Sequence, residues 1–191
     1  MRFLLNLLAM LVVALAVGFG LSYYALSDGR LFGAYRIGPW VAWLQAGSPT
    51  PDPYSRAFLT RNAALQLGQG EGLQFVATAD SDGRTLDRDC TYRIDGTTPL
   101  ATFWTLVPVS ADGAGVADPA GPPGFHSQRV ARANDGSVQL YVSKALSPHN
   151  WLELAGTGPF SLVLTLYDTA FFSGVSSGPA TLPAIIRERC L

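Results

Sequence analysis

The chain has few charged residues and no excess of either sign. Charged side chains make up 14% of its 191 residues, with 13 Lys and Arg against 14 Asp and Glu. A protein that binds nucleic acid needs a concentration of basic side chains to neutralise phosphates. The sequence therefore predicts no nucleic-acid partner. No basic run adjoins the N-terminal apolar segment either, so nothing indicates electrostatic binding to anionic lipid.

Histidine and recognised catalytic motifs are also scarce. The two histidines, His126 and His149, lie far apart and have no metal-ligand spacing, so we predict no metal and no cofactor. A hydrolytic triad of His126, Ser127 and an aspartate lacks a GxSxG elbow, and adjacent residues of a strand point to opposite faces. The sequence therefore favours a non-enzymatic protein, with an enzyme kept as the alternative.

There are only two cysteines, Cys90 and Cys190, and they match no metal or redox motif. In an oxidising compartment they would pair and close a loop of about 100 residues, which the chain-entropy model values at about 4.7 kcal/mol. In a reducing compartment they would remain free thiols. We predict the disulfide, because the N-terminus favours export.

One long apolar run is present, from Phe3 to Leu21, and it contains no charge. In a helix it spans the hydrocarbon core of about 30 Å, and it is longer than the apolar core of an ordinary signal peptide. Tyr23 and Tyr24 follow it and favour the headgroup interface. We predict an anchor that contacts the lipid bilayer, with a signal peptide cleaved at Ala25-Leu26-Ser27 as the alternative.

Both interpretations place the rest of the chain outside the cytoplasm. We therefore predict a single-pass membrane protein whose C-terminal domain lies outside the cytoplasm. Residues 1–26 form the anchor or signal helix, 27–53 a membrane-proximal segment and linker, and 54–191 a helix plus a β-sandwich. Asp52 suits a helix N-cap and Pro53 the first helical position, and the apolar face of that helix would carry Tyr54, Ala57, Phe58 and Leu65.

From Leu73 onward the apolar residues alternate with polar ones, which is typical of strands. We predict strands around residues 73–79, 91–94, 102–109, 128–131, 138–142 and 160–167. The last of these is the most apolar and is predicted to be central. Asp80–Gly83 and Asn134–Gly136 read as turns, and Pro108 places its strand at a sheet edge or a bulge. This spacing predicts a mainly β fold, an antiparallel sandwich or jelly roll.

Five polar and aromatic residues are candidate ligand-binding residues: His126, Arg129, His149, Asn150 and Trp151. Trp151 would either close the end of the sandwich or offer a stacking face to a sugar or an aliphatic ligand. Asn150 would hydrogen-bond loop backbone, as Asn residues in turns commonly do. Four aspartates surround Gly83, and we interpret them as solvated turn carboxylates because a calcium loop would need a terminal Glu. These are Asp80, Asp82, Asp87 and Asp89.

The C-terminal half contains a fairly specific pattern, Asn150-Trp151-Leu152, then Gly158-Pro159-Phe160, then Leu164-Thr165-Leu166-Tyr167. With Phe103-Trp104-Thr105-Leu106 upstream, it resembles the bacterial domain of unknown function 1214, and in particular its short membrane-anchored members. The resemblance implies a jelly-roll-like β-sandwich with an N-terminal transmembrane helix, and it brings no established catalytic residues. This chain departs from the family at Glu153, where proline is common, and at Thr165, where arginine is common.

The leading hypothesis is a single-pass protein of the bacterial inner membrane whose C-terminal β-sandwich lies in the periplasm and binds or scaffolds an envelope protein or glycan. The alternative is a periplasmic enzyme acting on glycan or lipid-derived substrates, with His126, Arg129 and the 149–151 loop lining a cleft. A third hypothesis is an assembly subunit that forms homo-oligomers through the sandwich edge.

Overall fold

The computed structural model describes residues 2–28, 34–62, 67–68, 70–97, 101–169 and 181–190, and every structural statement below concerns these residues. A long N-terminal helix precedes ten strands, and a short helix lies between the second and third strands. The fold is mainly β, as predicted. In chain order the elements are α1 (Arg2–Asp28), β1 (Ala34–Ile37), β2 (Trp40–Trp43), α2 (Pro53–Asn62), β3 (Gly72–Ala77), β4 (Cys90–Gly96), β5 (Ala101–Val109), β6 (Phe125–His126), β7 (Val138–Ser143), β8 (Asn150–Glu153), β9 (Ser161–Thr169) and β10 (Ala184–Cys190).

Helix α1 has no apolar protein surface to pack on along most of its length. Its segment Arg2–Tyr24 has a mean hydropathy of 2.5, and none of it is buried inside the protein. Leucine, valine and phenylalanine side chains all around the helix are exposed. A helix that is apolar on every face suits a lipid environment rather than water. The segment thus has the length and composition of a membrane anchor or a signal sequence.

The strands form two sheets. The larger has the order β1-β2-β3-β9-β5-β6, and every neighbouring pair in it is antiparallel. Strand β9 lies in its interior, which confirms the prediction for the most apolar segment. The smaller sheet has the order β10-β4-β7-β8. Its β7–β8 pair is parallel, so this sheet is mixed rather than antiparallel as predicted.

The two sheets share one buried core. Alternate side chains of the strands point inward, as the period-two pattern predicts. Tyr92 and Phe75 are completely buried, and Trp104 and Leu164 are each 2% exposed. The same buried cluster joins strands of both sheets, with contributions from Trp40, Ala42, Leu73, Phe75, Trp104, Leu106, Leu162, Leu164 and Leu166 on one side and Tyr92, Ile94, Leu140, Val142, Leu152 and Ile185 on the other.

Helix α2 begins at the predicted residue. Asp52 Oδ1 accepts hydrogen bonds from the backbone N–H groups of Tyr54 (2.9 Å) and Ser55 (3.0 Å), which is N-cap geometry. The Ser55 hydroxyl donates to the other carboxylate oxygen, and this bond holds the pKa of Asp52 below its usual value. The cap therefore stabilises the helix while Asp52 is ionised, and that stabilisation is lost as the pH falls through the lowered pKa.

The buried face of α2 differs from the predicted one. Ser55 and Leu59 are buried, whereas Tyr54 is 37% exposed. The Phe58 side chain and Leu65 lie outside the described residues. The short helix thus buries the face that carries Ser55 and Leu59, one residue along from the face predicted at Tyr54.

The larger sheet extends further toward the N-terminus than the sequence indicated. Residues 34–43 lie in the part assigned to a membrane-proximal segment, but they form the β1–β2 hairpin of this sheet. Trp40 is fully buried, and its indole N–H donates to the Pro183 carbonyl oxygen at 2.8 Å. Strand β2 has only four residues, so its alternation was too short to be distinguished from an irregular apolar segment.

Pro108 lies within β5, opposite Leu162 of β9. The two-residue β6 covers only Thr105 and Leu106 on the other side of β5. The Pro108 carbonyl accepts a hydrogen bond from the backbone N–H of Val116 at 3.1 Å, so a loop rather than a strand borders the proline. The missing N–H therefore costs no ladder hydrogen bond, although β5 is neither an edge strand nor bulged at this residue.

We expect the Leu164→Ala substitution to lower the free energy of unfolding by about 2–5 kcal/mol, because it removes buried side-chain volume from the central strand. Urea unfolding of the purified protein, followed by tryptophan fluorescence, measures this loss. Leu146→Ala is the matched control, since Leu146 is 79% exposed and its truncation should change stability by less than about 0.5 kcal/mol. Equal losses in the two variants would contradict the assigned core.

Candidate functional site

The five candidate ligand-binding residues lie on or beside the edge strands β6 and β8 of the two sheets. His126 ends β6, the edge strand of the larger sheet, and Asn150 and Trp151 begin β8, the edge strand of the smaller one. Arg129 follows β6, and His149 directly precedes β8. The contacts of their side chains distinguish a shared binding site from a structural role.

Asn150 serves the fold. Its Oδ1 accepts a hydrogen bond from the backbone N–H of Ala131 at 2.7 Å, and its Nδ2 donates to the carbonyl oxygens of Ala131 and Gln139, both at 2.9 Å. One side chain thus joins the loop after β6 to strand β7. This is the backbone-binding role predicted for it, and it uses both side-chain N–H donors and one acceptor position of Oδ1.

Trp151 supports the unusual parallel pairing of β7 and β8. Its indole N–H donates to Ser143, the last residue of β7, at 3.1 Å to the hydroxyl and 3.3 Å to the carbonyl oxygen. Ser143 is fully buried, and its hydroxyl also donates to the Ala145 carbonyl oxygen at 2.7 Å. His149 has a φ of +64°, a left-handed conformation.

Ser143, His149 and Trp151 lie at the ends of the connection of six residues, 144–149, that joins the parallel strands β7 and β8. Parallel neighbours are ordinarily joined by a crossover of a dozen or more residues. So short a return must reverse the chain twice within a few residues. The hydrogen bonds between Trp151 and Ser143 and the left-handed backbone at His149 stabilise these reversals.

His126 is held by aromatic contacts rather than by polar ones. Its ring centroid lies 5.8 Å from that of Phe103, which in turn lies 5.8 Å from the ring of Tyr167. The Nδ1 atom of His126 is buried and has no hydrogen-bond partner among the described residues. Arg129 contacts His126 through the backbone, its N–H donating to the His126 carbonyl oxygen at 3.0 Å. Within the described part of the chain, no hydrogen bond joins the side chains of His126, Arg129 and His149.

The aspartates around Gly83 do not form a metal site and are not all solvated. Among the described residues, no group of three His, Cys, Asp or Glu side chains could hold a metal ion. Asp80 is only 2% exposed, which corrects its interpretation as a solvated turn residue. Its Oδ1 accepts hydrogen bonds from the backbone N–H groups of Asp82 (3.1 Å) and Arg84 (2.8 Å), and these bonds pull the carboxylate into the turn.

The partner of Asp80 is Arg187 of β10, with 3.0 Å between Oδ2 and Nε. The Arg187 guanidinium also lies over the Tyr92 ring, 5.5 Å from its centroid. The Tyr92 hydroxyl accepts a hydrogen bond from the Asp87 N–H, and burial raises its pKa above the usual value, so it stays neutral. This ion pair ties β10 to the 80–87 turn. No local sequence pattern could reveal it, because Arg187 lies more than one hundred residues from Asp80.

Arg88 organises the turn that contains the Gly-Pro-Phe motif. Its Nε donates to the Gly158 carbonyl oxygen at 3.2 Å and its Nη1 to that of Ala155 at 3.3 Å. Gly156 and Gly158 have φ values of +74° and +88°, and a Cβ on Gly156 would lie 2.9 Å from the Arg88 guanidinium. Both glycines are therefore favoured by backbone conformation, and a side chain at residue 156 would also displace the Arg88 guanidinium.

The described surface offers little enclosed space. A notch of about 10 Å³ lies beside Cys90, enough for about one water molecule. A larger depression, at Arg2, Leu4, Leu5 and Leu8, is an open groove on the surface of α1. Neither resembles the enclosed, mainly apolar pockets of several hundred Å³ that bind small substrates.

Comparison with known proteins agrees with this fold. The family model described as "Protein of unknown function (DUF1214)" matches residues 71–171, just over half of the chain. None of the curated protein sequences matches the chain.

Two solved structures are similar. The VPA0106 protein from Vibrio parahaemolyticus has a TM-score of 0.57 at 20% identity, over 72% of this chain and 36% of its own. A putative uncharacterized protein from Burkholderia cenocepacia has a TM-score of 0.46 at 18% identity, over 65% of this chain and 31% of its own. This chain thus spans about a third of the length of either protein. At such identity, the VPA0106 structure supports the fold alone.

We expect Asn150→Ala to lower the free energy of unfolding by about 1–3 kcal/mol, because backbone groups of Ala131 and Gln139 lose their partner. Chemical denaturation measures the loss. Asn134→Ala, in the exposed turn before β7, is the matched control and should change stability by less than about 0.5 kcal/mol. An Asn150→Ala variant as stable as the wild type would show that the clamp is dispensable and would reopen a ligand-binding role for Asn150.

Proposed function

This chain belongs to the DUF1214 family of proteins of unknown function, and we propose that it is a single-pass protein of the bacterial inner membrane. In this proposal α1 anchors the chain and the two sheets form a jelly-roll-like β-sandwich in the periplasm. The sandwich binds or scaffolds another envelope component, a protein or a glycan.

The observation that carries the proposal is the fully unburied apolar surface of α1. An apolar helix of this length would aggregate in water, whereas a bilayer covers all of its faces at once. Tyr23 and Tyr24 are both exposed at its C-terminal end, where a bilayer places its headgroups. α1 also contacts α2, so the folded domain would lie close to the membrane surface.

The disulfide between Cys90 and Cys190 supports the periplasmic location. Disulfides form and persist in oxidising compartments such as the bacterial periplasm and are rare in the cytosol. This bond lies between β4 and β10, directly opposite each other in the antiparallel register. Its formation therefore agrees with an exported domain and an N-terminus that directs export.

The hydrogen bonds of the candidate residues favour a binding role over catalysis. Asn150 and Trp151, the most distinctive polar and aromatic candidates, use their hydrogen-bonding groups to hold loop and strand backbone. The side chains of His126, Arg129 and His149 share no hydrogen bond among the described residues. An enzyme would need a second set of groups around an enclosed pocket.

We expect a C-terminal reporter that is active only outside the cytoplasm to be active, and the full-length protein to stay in the membrane fraction after alkaline carbonate extraction. Thiol alkylation of intact cells should modify neither cysteine until a reductant is added. An inactive reporter with freely alkylated cysteines would overturn the location. An active reporter on a shortened chain in the soluble fraction would show that the N-terminal segment is a cleaved signal peptide rather than an anchor.

The binding role predicts that crosslinking in intact membranes, followed by capture through a C-terminal tag, recovers one defined envelope component with the full chain. The matched control carries the same anchor, residues 1–28, in front of an unrelated exported domain and should not recover it. A second copy of this chain as the only crosslinked product would favour an assembly subunit instead. Recovery of the same proteins with both chains would contradict a binding role for the β domain.

A further inference from the structure

The two cysteines of the disulfide differ in exposure to solvent. Cys90 begins β4 and is 6% exposed, whereas Cys190 ends β10 and is exposed. An incoming thiolate must approach a disulfide sulfur directly, since exchange proceeds by attack along a path to that atom. An incoming thiolate therefore reaches the exposed Cys190 more readily than the buried Cys90, which makes Cys90 the leaving group.

The surroundings of Cys90 suit a leaving thiolate. The notch beside it is lined by three cationic side chains, those of Arg88, Lys144 and Arg189. The one carboxylate there, Asp89, pairs with Lys144. Arg88 is bound to the carbonyl oxygens of Gly158 and Ala155 and interacts with Asp112, whereas Arg189 has no ion pair among the described residues. A cation near a cysteine stabilises its thiolate and makes it leave faster.

Opening the bond would not detach the strand that carries Cys190. Strand β10 pairs with β4 from Ala184 to Arg189, and Ile185 is completely buried. Two ion pairs add to this, Arg187–Asp80 and Arg93–Glu188, each with 3.0 Å between the charged atoms. The two thiols would therefore stay on neighbouring strands, opposite each other and able to pair again.

We propose that the Cys90–Cys190 pair is a reversible thiol–disulfide exchange site, entered at Cys190, whose partner is a protein dithiol. This inference goes beyond the proposed envelope role. It concerns chemistry of the folded domain itself and does not depend on which component the sandwich binds. A dithiol can both open the bond and release Cys190, because its second thiol resolves the mixed disulfide. Cys190 is exposed at the end of β10, where the surface of a protein partner can reach it.

The reaction balances with that dithiol as the only reductant. One of its thiolates attacks Cys190 Sγ, the bond to Cys90 breaks, and Cys90 departs with the electron pair as a thiolate. The second thiolate of the dithiol attacks the sulfur that forms the mixed disulfide with Cys190 and releases the Cys190 thiolate. The dithiol is oxidised to its disulfide by two electrons, and its two protons pass to Cys90 and Cys190. Reoxidation follows the same steps in reverse.

The first experiment locates the attacked sulfur in the full-length protein in detergent. Reaction with glutathione, quenching with iodoacetamide and peptide mass analysis should find the glutathione adduct on Cys190 and carbamidomethyl on Cys90. The rate should not change across urea concentrations that leave the protein folded. An adduct mainly on Cys90, or a rate that rises in parallel with the unfolding rate, would show that the bond is purely structural.

The second experiment tests the charges and the partner class. Arg189→Gln should slow glutathione attack about threefold through the raised pKa of the leaving thiol, while Arg36→Gln, on β1 of the other sheet, should leave the rate unchanged. A thioredoxin-type protein whose second active-site cysteine is replaced by serine should become trapped on Cys190. Equal effects of the two substitutions, or no trapped species while glutathione reacts, would overturn the proposal.

Discussion

Contact between the apolar faces of the two sheets is the constraint on which the rest of the structure depends. Wherever the chain leaves one sheet for the other, its backbone N–H and C=O groups lose their partners in the strand ladders and need others. Three polar side chains stand at such crossings: Asn150 holds the 127–131 loop, Arg88 the 155–158 turn and Asp80 the turn after β3. Each side chain supplies hydrogen-bond partners to backbone groups of a connection between the sheets.

This accounts for the pattern through which the family is recognised. The Asn-Trp pair at 150–151 builds the short return between parallel β7 and β8, and the glycines before Phe160 adopt left-handed conformations around Arg88. Residues constrained in this way identify the fold and say little about activity. A shared pattern of this kind supports transfer of architecture between members, whereas any ligand or partner must be argued from surfaces that the pattern leaves open.

Features set by neighbouring residues could be predicted from the sequence, and features set by distant ones could not. The apolar length of α1, the Asp52 cap of α2 and the apolar run of β9 each depend on a few consecutive residues, and the structure contains all three. The Asp80–Arg187 ion pair and the parallel partner of β7 arise only after the sheets close. The β1–β2 hairpin was missed because four-residue strands are too short to show a period.

Thr165 is one of the two positions at which this chain departs from the pattern described in the sequence analysis. It lies on β9 with its neighbours Gln74 and Thr105 across the two adjacent strands, and it is only 6% exposed. A guanidinium in so buried a position would require an acidic or carbonyl partner, and the cross-strand neighbours here are an amide and a hydroxyl, neither of them charged. A guanidinium at residue 165 of this chain would therefore have no charged partner among its cross-strand neighbours, and the neutral Thr165 avoids that cost.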